Sequence, residues 1–180
     1  MIQYRLTSTK KDLHEILALQ QKNLPRSISL KEQQKEGFVT VEHTLDILYK
    51  MHKVHPHVIA LHNTKIIGYA LCMGKEFKND IPILTPMFDE IEASISAAEN
   101  TINYIVMGQI CIAKNFRKKG VFRGLYTAIR QHISPTYNAI ITEVDLQNKH
   151  SSDAHKAIGF EVLKTYTSNA QQWELILLPC

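Results

Sequence analysis

The chain is 180 residues long, about the size of one domain with a core large enough to fold unaided. Its 44% hydrophobic and 21% charged residues are ordinary for a soluble globular protein, and the formal net charge of +4 does not by itself point to nucleic acid. No apolar stretch approaches the roughly 20 residues of a membrane span and no basic-then-apolar leader opens the chain, so a cytoplasmic protein with no membrane partner is expected.

In chain order, "IQYRLT" at 2–7 reads as a first strand. Thr9 and Asp12 have the spacing of a capping box, and Leu13, Ile16, Leu17 and Gln20 follow at helical intervals. Ser29 and Glu32 repeat that signal for a short helix that Gly37 closes. A further amphipathic segment carries Leu45, Leu48 and Met51. "HVIALHN" and "KIIGYALCM" flank an Asn63-Thr64 turn and predict a hairpin. Thr85-Pro86 starts a helix with proline in its first turn. "YIVMGQICIA" at 104–113 is a buried strand, Val121, Leu125, Ala128 and Ile129 mark a helix, and Ser134-Pro135 ends it. "AIITEVDL" is a strand, "SSDAHKAIG" a short helix, and "FEVLKTY" and "WELILL" are the last two strands. No repeat or linker interrupts this series, so residues 1–180 are expected to form a single domain with a mixed sheet and helices on its faces.

Cys72, Cys111 and Cys180 are odd in number and far apart; the first two lie in apolar runs and read as reduced core residues. "HKVHPH" at 52–57 reads as a loop and not as a metal site, because Pro56 interrupts it and no acid is near. Charge is distributed unevenly. Lys114 to Arg130 holds six Lys/Arg and no acid, whereas Asp80 to Asn103 holds five acids and no Lys/Arg. The helix between the strands at 104–113 and 139–146 is long enough for a parallel crossover. The basic loop then lies at the amino end of a helix, where unpaired N–H groups and the dipole favour an anion. A phosphate group, most simply a pyrophosphate, is the expected occupant. No Gly-Lys-Ser/Thr follows Gly120 and the Gly-x-Gly-x-x-Gly pattern is missing, so neither a P-loop nor a dinucleotide fold explains it.

Arg117-Lys118-Lys119-Gly120-Val121-Phe122 resembles the Gln/Arg-x-x-Gly-x-Gly/Ala phosphate loop of the GNAT acetyltransferase superfamily. "EVDLQNKHSSDAHKAIGF" resembles a second block of that family, with Asn148, Ser151, His155, Gly159 and Phe160 at its positions. The resemblance is specific over 104–178. Phe122 stands where a small residue is usual, Lys114 where proline is frequent, and His155 where tyrosine is frequent. The resemblance implies an α/β fold of the acyl-CoA acyltransferase type, with a mixed, twisted sheet of about seven strands and helices on both faces. It implies acetyl-CoA as co-substrate and no metal. The pantetheine arm would pair with the backbone of Ile110, Cys111 and Ile112. The loop Arg117, Lys118, Lys119, Gly120, Val121, Phe122 with Arg123 would hold the phosphates, and Asn148 would touch the cofactor arm.

For catalysis the resemblance implies Glu143, just before Val144, as the base and His155 as the acid beside the thioester. The plainer readings are an exposed strand edge for Glu143, a surface or capping histidine for His155, a helix cap for Asn148, a solvated face for the cations and a core residue for Cys111. The expected activity is transfer of an acetyl group to a primary amine of a small molecule or peptide, compatible with a homodimer and requiring no nucleic acid. Two alternatives are a silent acetyl-CoA-binding module of the same fold and a nucleic-acid binder that uses the basic patch. The acids Asp80, Asp89, Glu90, Glu92 and Glu99 are expected to form a wall or lid that draws a cationic acceptor.

Overall fold

The structure is a computed structural model and describes residues 1–36, 38–96, 101–133 and 136–180. Seven strands, β1 (Ile2–Leu6), β2 (Val58–His62), β3 (Lys65–Met73), β4 (Tyr104–Ile112), β5 (Ala139–Asp145), β6 (Glu161–Ser168) and β7 (Gln171–Pro179), form a mixed sheet in the order β1-β2-β3-β4-β5-β7-β6. The helices are α1 (Lys10–Gln21), α2 (Leu30–Glu36), α3 (Leu45–Val54), α4 (Thr85–Ser96), α5 (Val121–Ile133) and α6 (Lys149–Lys156). Expected and observed strands and α-helices agree in kind, but His52, Lys53 and Val54 of the stretch expected to be a loop continue α3 instead, because its apolar spacing runs on to Val54 before Pro56 stops it. The closing roles expected of Gly37 and Ser134-Pro135 lie outside the described residues.

Local chemistry accounts for these elements. The capping box forms in full: Thr9 accepts from Asp12 N–H at 3.2 Å while Asp12 accepts from Thr9 N–H at 3.1 Å. Arg5 clamps the same carboxylate through two guanidinium nitrogens at 2.8 and 3.0 Å, which joins β1 to the start of α1. Asn63 and Thr64 take φ of +48° and +67°, the left-handed pair of a two-residue hairpin turn.

The chain gathers into two compact units, each drawn from two stretches of sequence: Met1–Met73 with Met107–His132, and Gly74–Val106 with Ile133–Cys180. β4 and α5 each run from one unit into the other along the chain. In the first unit Leu13, Ile16, Leu48, Met51, Leu71, Leu125 and Ile129 are fully buried. In the second, Phe88, Ile91, Ile140, Ile141, Leu175 and Ile176 make the core. There β4 and β5 run parallel with Tyr104–Val106 against Ala139–Ile141, while β7 lies antiparallel between β5 and β6.

Candidate active site

The first unit carries the basic loop. Ala113 N–H donates to Ile67 carbonyl at 2.8 Å, which turns Ala113 towards β3, so Ile112 and Ile110 direct their backbone groups the other way. One turn of 3-10 helix at Lys114–Phe116 follows. Lys118 and Gly120 then adopt φ of +59° and +78°, and two left-handed residues so close together turn the chain sharply into α5. A Cβ placed on Gly120 would meet nothing within 4 Å, so the space in front of its backbone is open. The first backbone bond of α5 runs from Gly124 N–H to Gly120 carbonyl at 3.0 Å, which makes Val121, Phe122 and Arg123 the amino-terminal turn. Lys118, Lys119 and Arg123 are exposed around it. An open backbone, a helix start and exposed cations fit a phosphate group.

Arg117 differs from the rest of the loop. Its Nε donates to Ile112 carbonyl at 3.1 Å, one terminal nitrogen pairs with Glu36 at 3.2 Å and the other donates to Asn23 Oδ1 at 2.6 Å. Expected as a phosphate ligand, it holds the loop to the end of α1 and to α2 instead. Phe122 leans on Tyr126 one turn later, with ring centroids 5.1 Å apart. Cys111 is buried and its thiol is pushed up to about 12 by burial, so it stays protonated and serves as core.

Sequence reasoning missed two features of this unit. Gln109 of β4 accepts from Tyr69 hydroxyl at 2.6 Å and Gln20 Nε2 at 2.9 Å, and donates to Val41 carbonyl at 2.7 Å. Gln20 Nε2 also reaches His43 Nδ1 at 3.0 Å, so a buried polar network ties β4 to α1 and to the segment before α3. Gly124 admits the Tyr4 ring of β1, because a Cβ there would sit 2.1 Å from its hydroxyl. The signal for the second was a lone glycine inside a helical pattern. His57 is buried, with Nε2 donating to Leu48 carbonyl at 3.3 Å and Nδ1 accepting from Cys72 N–H at 3.3 Å, and His52 bonds Thr7 at 2.8 Å. Two histidines of the "HKVHPH" stretch are thus structural, and among the described residues no His/Cys/Asp/Glu cluster has a metal-holding arrangement.

The second unit carries Glu143, half-buried on β5. Burial pushes its carboxyl up to about 7, against which the Tyr166 hydroxyl, donating to Oε2, pulls it down. Glu143 stands opposite Leu175 and, one strand further, Lys164. Val144 stands opposite Glu174, on the other face of the sheet, and α6 sits on that other face: Ser152 and Lys156 bond Glu174 at 2.6 and 2.9 Å. On Glu143's face Lys164 bonds Glu90 of α4. Helices therefore cover both faces of this unit's strands.

The structure does not bring Glu143 and His155 together, since His155 belongs to α6. Its Nδ1 donates to Ser151 carbonyl at 2.7 Å and its ring lies edge-on to Phe160 at 5.0 Å. Burial lowers it to about 4. A neutral imidazole that commits its one N–H to a carbonyl has no proton to give, so the acid role expected of it does not match its geometry. Asn148 caps α6, its side-chain oxygen accepting from Ser151 N–H at 3.3 Å. The acidic segment is also neutralised in part: Lys78 pairs with Asp89 at 2.7 Å and Glu92 at 3.0 Å, and Glu90 is taken by Lys164. Glu99 lies outside the described residues.

Solved structures share this arrangement of strands and helices over nearly the whole chain. The ribosomal-protein-S18-alanine N-acetyltransferase from Escherichia coli has a TM-score of 0.65 at 11% identity, covering 99% of this chain and 94% of that one. A chain of the NatC complex bound to Gag peptide and CoA gives 0.66 at 14%, covering 99% and 98%. YncA from Salmonella typhimurium, solved with its cofactor acetyl-CoA, gives 0.62 at 12%, covering 99% and 93%. The chain has the GNAT acetyltransferase fold. No family model matches the sequence and no curated protein matches it. At 11 to 15% identity the likeness is one of GNAT architecture, and the chemistry has to be argued from this chain's own residues.

Proposed function

We propose that the chain is an acetyl-CoA-dependent N-acetyltransferase acting on a primary amine of a small molecule or peptide. The observation that carries the reading is Glu143: a half-buried carboxyl poised near neutrality, held by one hydroxyl, on the strand after the basic loop. An amine arrives as an ammonium and cannot attack until it loses a proton, and a carboxylate near 7 takes that proton efficiently at neutral pH. The backbone of Lys118–Arg123, with Lys118 and Lys119, suits the phosphates, and the outward backbone of Ile110 with the N–H of Ile112, whose carbonyl Arg117 holds, suits an extended arm by strand-like pairing. Bound there, acetyl-CoA would supply an activated acetyl group. A thiolate with an aqueous pKa of about 8.5 leaves with modest help, so water can protonate it and His155 need not. The solved likenesses support the amine class: one acts on a ribosomal-protein alanine and another was bound to a peptide and CoA.

The test is free-thiol release from acetyl-CoA over a panel of an alanine-ended peptide, lysine and spermidine, with melting curves alongside. Acetyl-CoA at a hundredfold over its dissociation constant should stabilise the fold by about 2.7 kcal/mol. Glu143→Gln should lower turnover by roughly 10²–10⁴-fold and leave that stabilisation intact. Stabilisation without thiol release on any amine would leave a binding module only. Melting curves unmoved by millimolar acetyl-CoA would remove the coenzyme itself.

A further inference from the structure

Resting on the reading of Glu143 as base, we infer that Tyr166 is its positioning residue, holding the carboxylate in place and partly ionised by a hydrogen bond that spans an intervening strand. β6 is the edge strand of the sheet, and Tyr166 is its one buried residue among Glu161–Ser168. Glu143 is on β5, and β7 lies between them. Neighbouring strands are about 4.8 Å apart, so the side chains of a donor on β6 and of Glu143 must together bridge roughly 10 Å, which needs a long donor. A tyrosine is long and stiff enough, and its hydroxyl ends on Glu143 Oε2.

The choice of donor matters chemically. Lys164 sits in Glu143's own row on β6, and an ammonium placed on that carboxylate would fix it as a weakly basic anion. Glu90 of α4 takes Lys164 instead. Asp145, an acid on Glu143's face two residues along β5, accepts from Gln171 Nε2 at 2.6 Å and from Gln147 N–H at 2.8 Å. Among Tyr166, Lys164, Glu90 and Asp145, only the uncharged hydroxyl bonds Glu143. A neutral donor offsets part of the burial and leaves the carboxyl able to take up a proton, which a cation would prevent. Removing the hydroxyl therefore strengthens the carboxyl's hold on its proton.

The direct test is carbon-detected titration of Glu143 in protein labelled at glutamate Cδ, with the signal assigned by its loss in Glu143→Gln. In Tyr166→Phe the midpoint should move upward by about one pH unit or more. On the amine that supports thiol release, the acid limb of the rate profile should move with it, while the alkaline plateau stays within a few-fold. A packing defect would lower the plateau without moving the limb. A Glu143 midpoint that is unchanged in Tyr166→Phe overturns the inference. A midpoint that moves while the rate profile does not supports Tyr166 and counts against Glu143 as the base. Should Tyr166→Phe fail to fold, the converse measurement serves: the Tyr166 hydroxyl, pushed up by burial and by Glu143, should ionise at lower pH in Glu143→Gln. No change there would be equally fatal.

Discussion

Arg117 and Lys118 are neighbours in a run of like charge, yet they do different things. Arg117 spends its guanidinium on Ile112, Glu36 and Asn23, with its side chain 16% exposed, whereas Lys118 and Lys119 are exposed, the latter with its ammonium 5.5 Å from the centre of the Phe116 ring. Bonds to a charged group contribute about 1.5–3 kcal/mol each when buried, and less where solvent reaches them. Arg117→Ala should therefore lower the melting temperature without ligand, by several degrees for a chain of this size. Lys118→Ala and Lys119→Ala should leave that temperature alone and weaken stabilisation by acetyl-CoA, more so at low salt. Calorimetry of the three variants with and without coenzyme separates the roles; an unshifted Arg117→Ala would mean the clamp contributes nothing. No residue count distinguishes these cations. The side-chain partners of Arg117, Asn23 just after α1 and Glu36 of α2, lie 94 and 81 positions earlier in the chain.

At the scale of the element, the amino end of α5 is made by two left-handed residues and an open backbone. Gly120 has no steric reason to be glycine, because nothing stands where its Cβ would go; its reason is φ of +78°. Gly120→Ala should cost about 1–2 kcal/mol through backbone strain alone. It should also weaken acetyl-CoA beyond that loss, because the methyl fills the space through which a phosphate would approach. Binding calorimetry measures the second effect independently of the first. Equal affinity for the variant would place the phosphates elsewhere. Capping followed the same local logic: Thr9 and Ser29 were legible as caps, since a cap oxygen and the N–H that donates to it lie within three residues. Asn148 was legible as polar and near a helix, but its side chain could have faced the helix or a ligand, and only the backbone at Ser151 decided between them.

For the whole molecule, buried titratable groups set the response to pH. Burial lowers His43 and His155 to about 4 and His57 to about 3. Each is neutral in the fold and gains a proton more readily when unfolded, so its contribution is complete above the unfolded value near 6.5 and is lost as pH falls towards the folded value. Glu143 works in the opposite sense: raised to about 7, its contribution is complete below about 4.5 and is lost as pH rises through 7. Three groups outweigh one, each worth on the order of 3 to 5 kcal/mol at most. Melting temperature should fall steadily from pH 6.5 to 4, and below that Asp12, held well under the usual carboxylate range by Arg5, adds to the loss. Glu143→Gln should steepen the decline and His155→Gln should flatten it. A melting temperature constant between pH 6.5 and 4.5 would contradict this account.

Among the described residues the sequence by itself determined the strands and α-helices in kind, because periodicity, caps and turn residues act within a few positions along the chain; short 3-10 turns such as Lys114–Phe116 carry no such period. It also marked the basic loop before α5 and, through the family resemblance, singled out Glu143 just before Val144. Tertiary structure alone decided what each candidate side chain touches. Arg117 meets Asn23 and Glu36, Tyr166 meets Glu143 across β7, and His155 turns its one proton back to Ser151 on the face opposite Glu143. Those outcomes depend on strand order, register and which face a side chain takes, and a shift of one residue in register would reverse them. A sequence fixes the period of a strand; which neighbour it meets is settled by the packing of residues far apart in the chain.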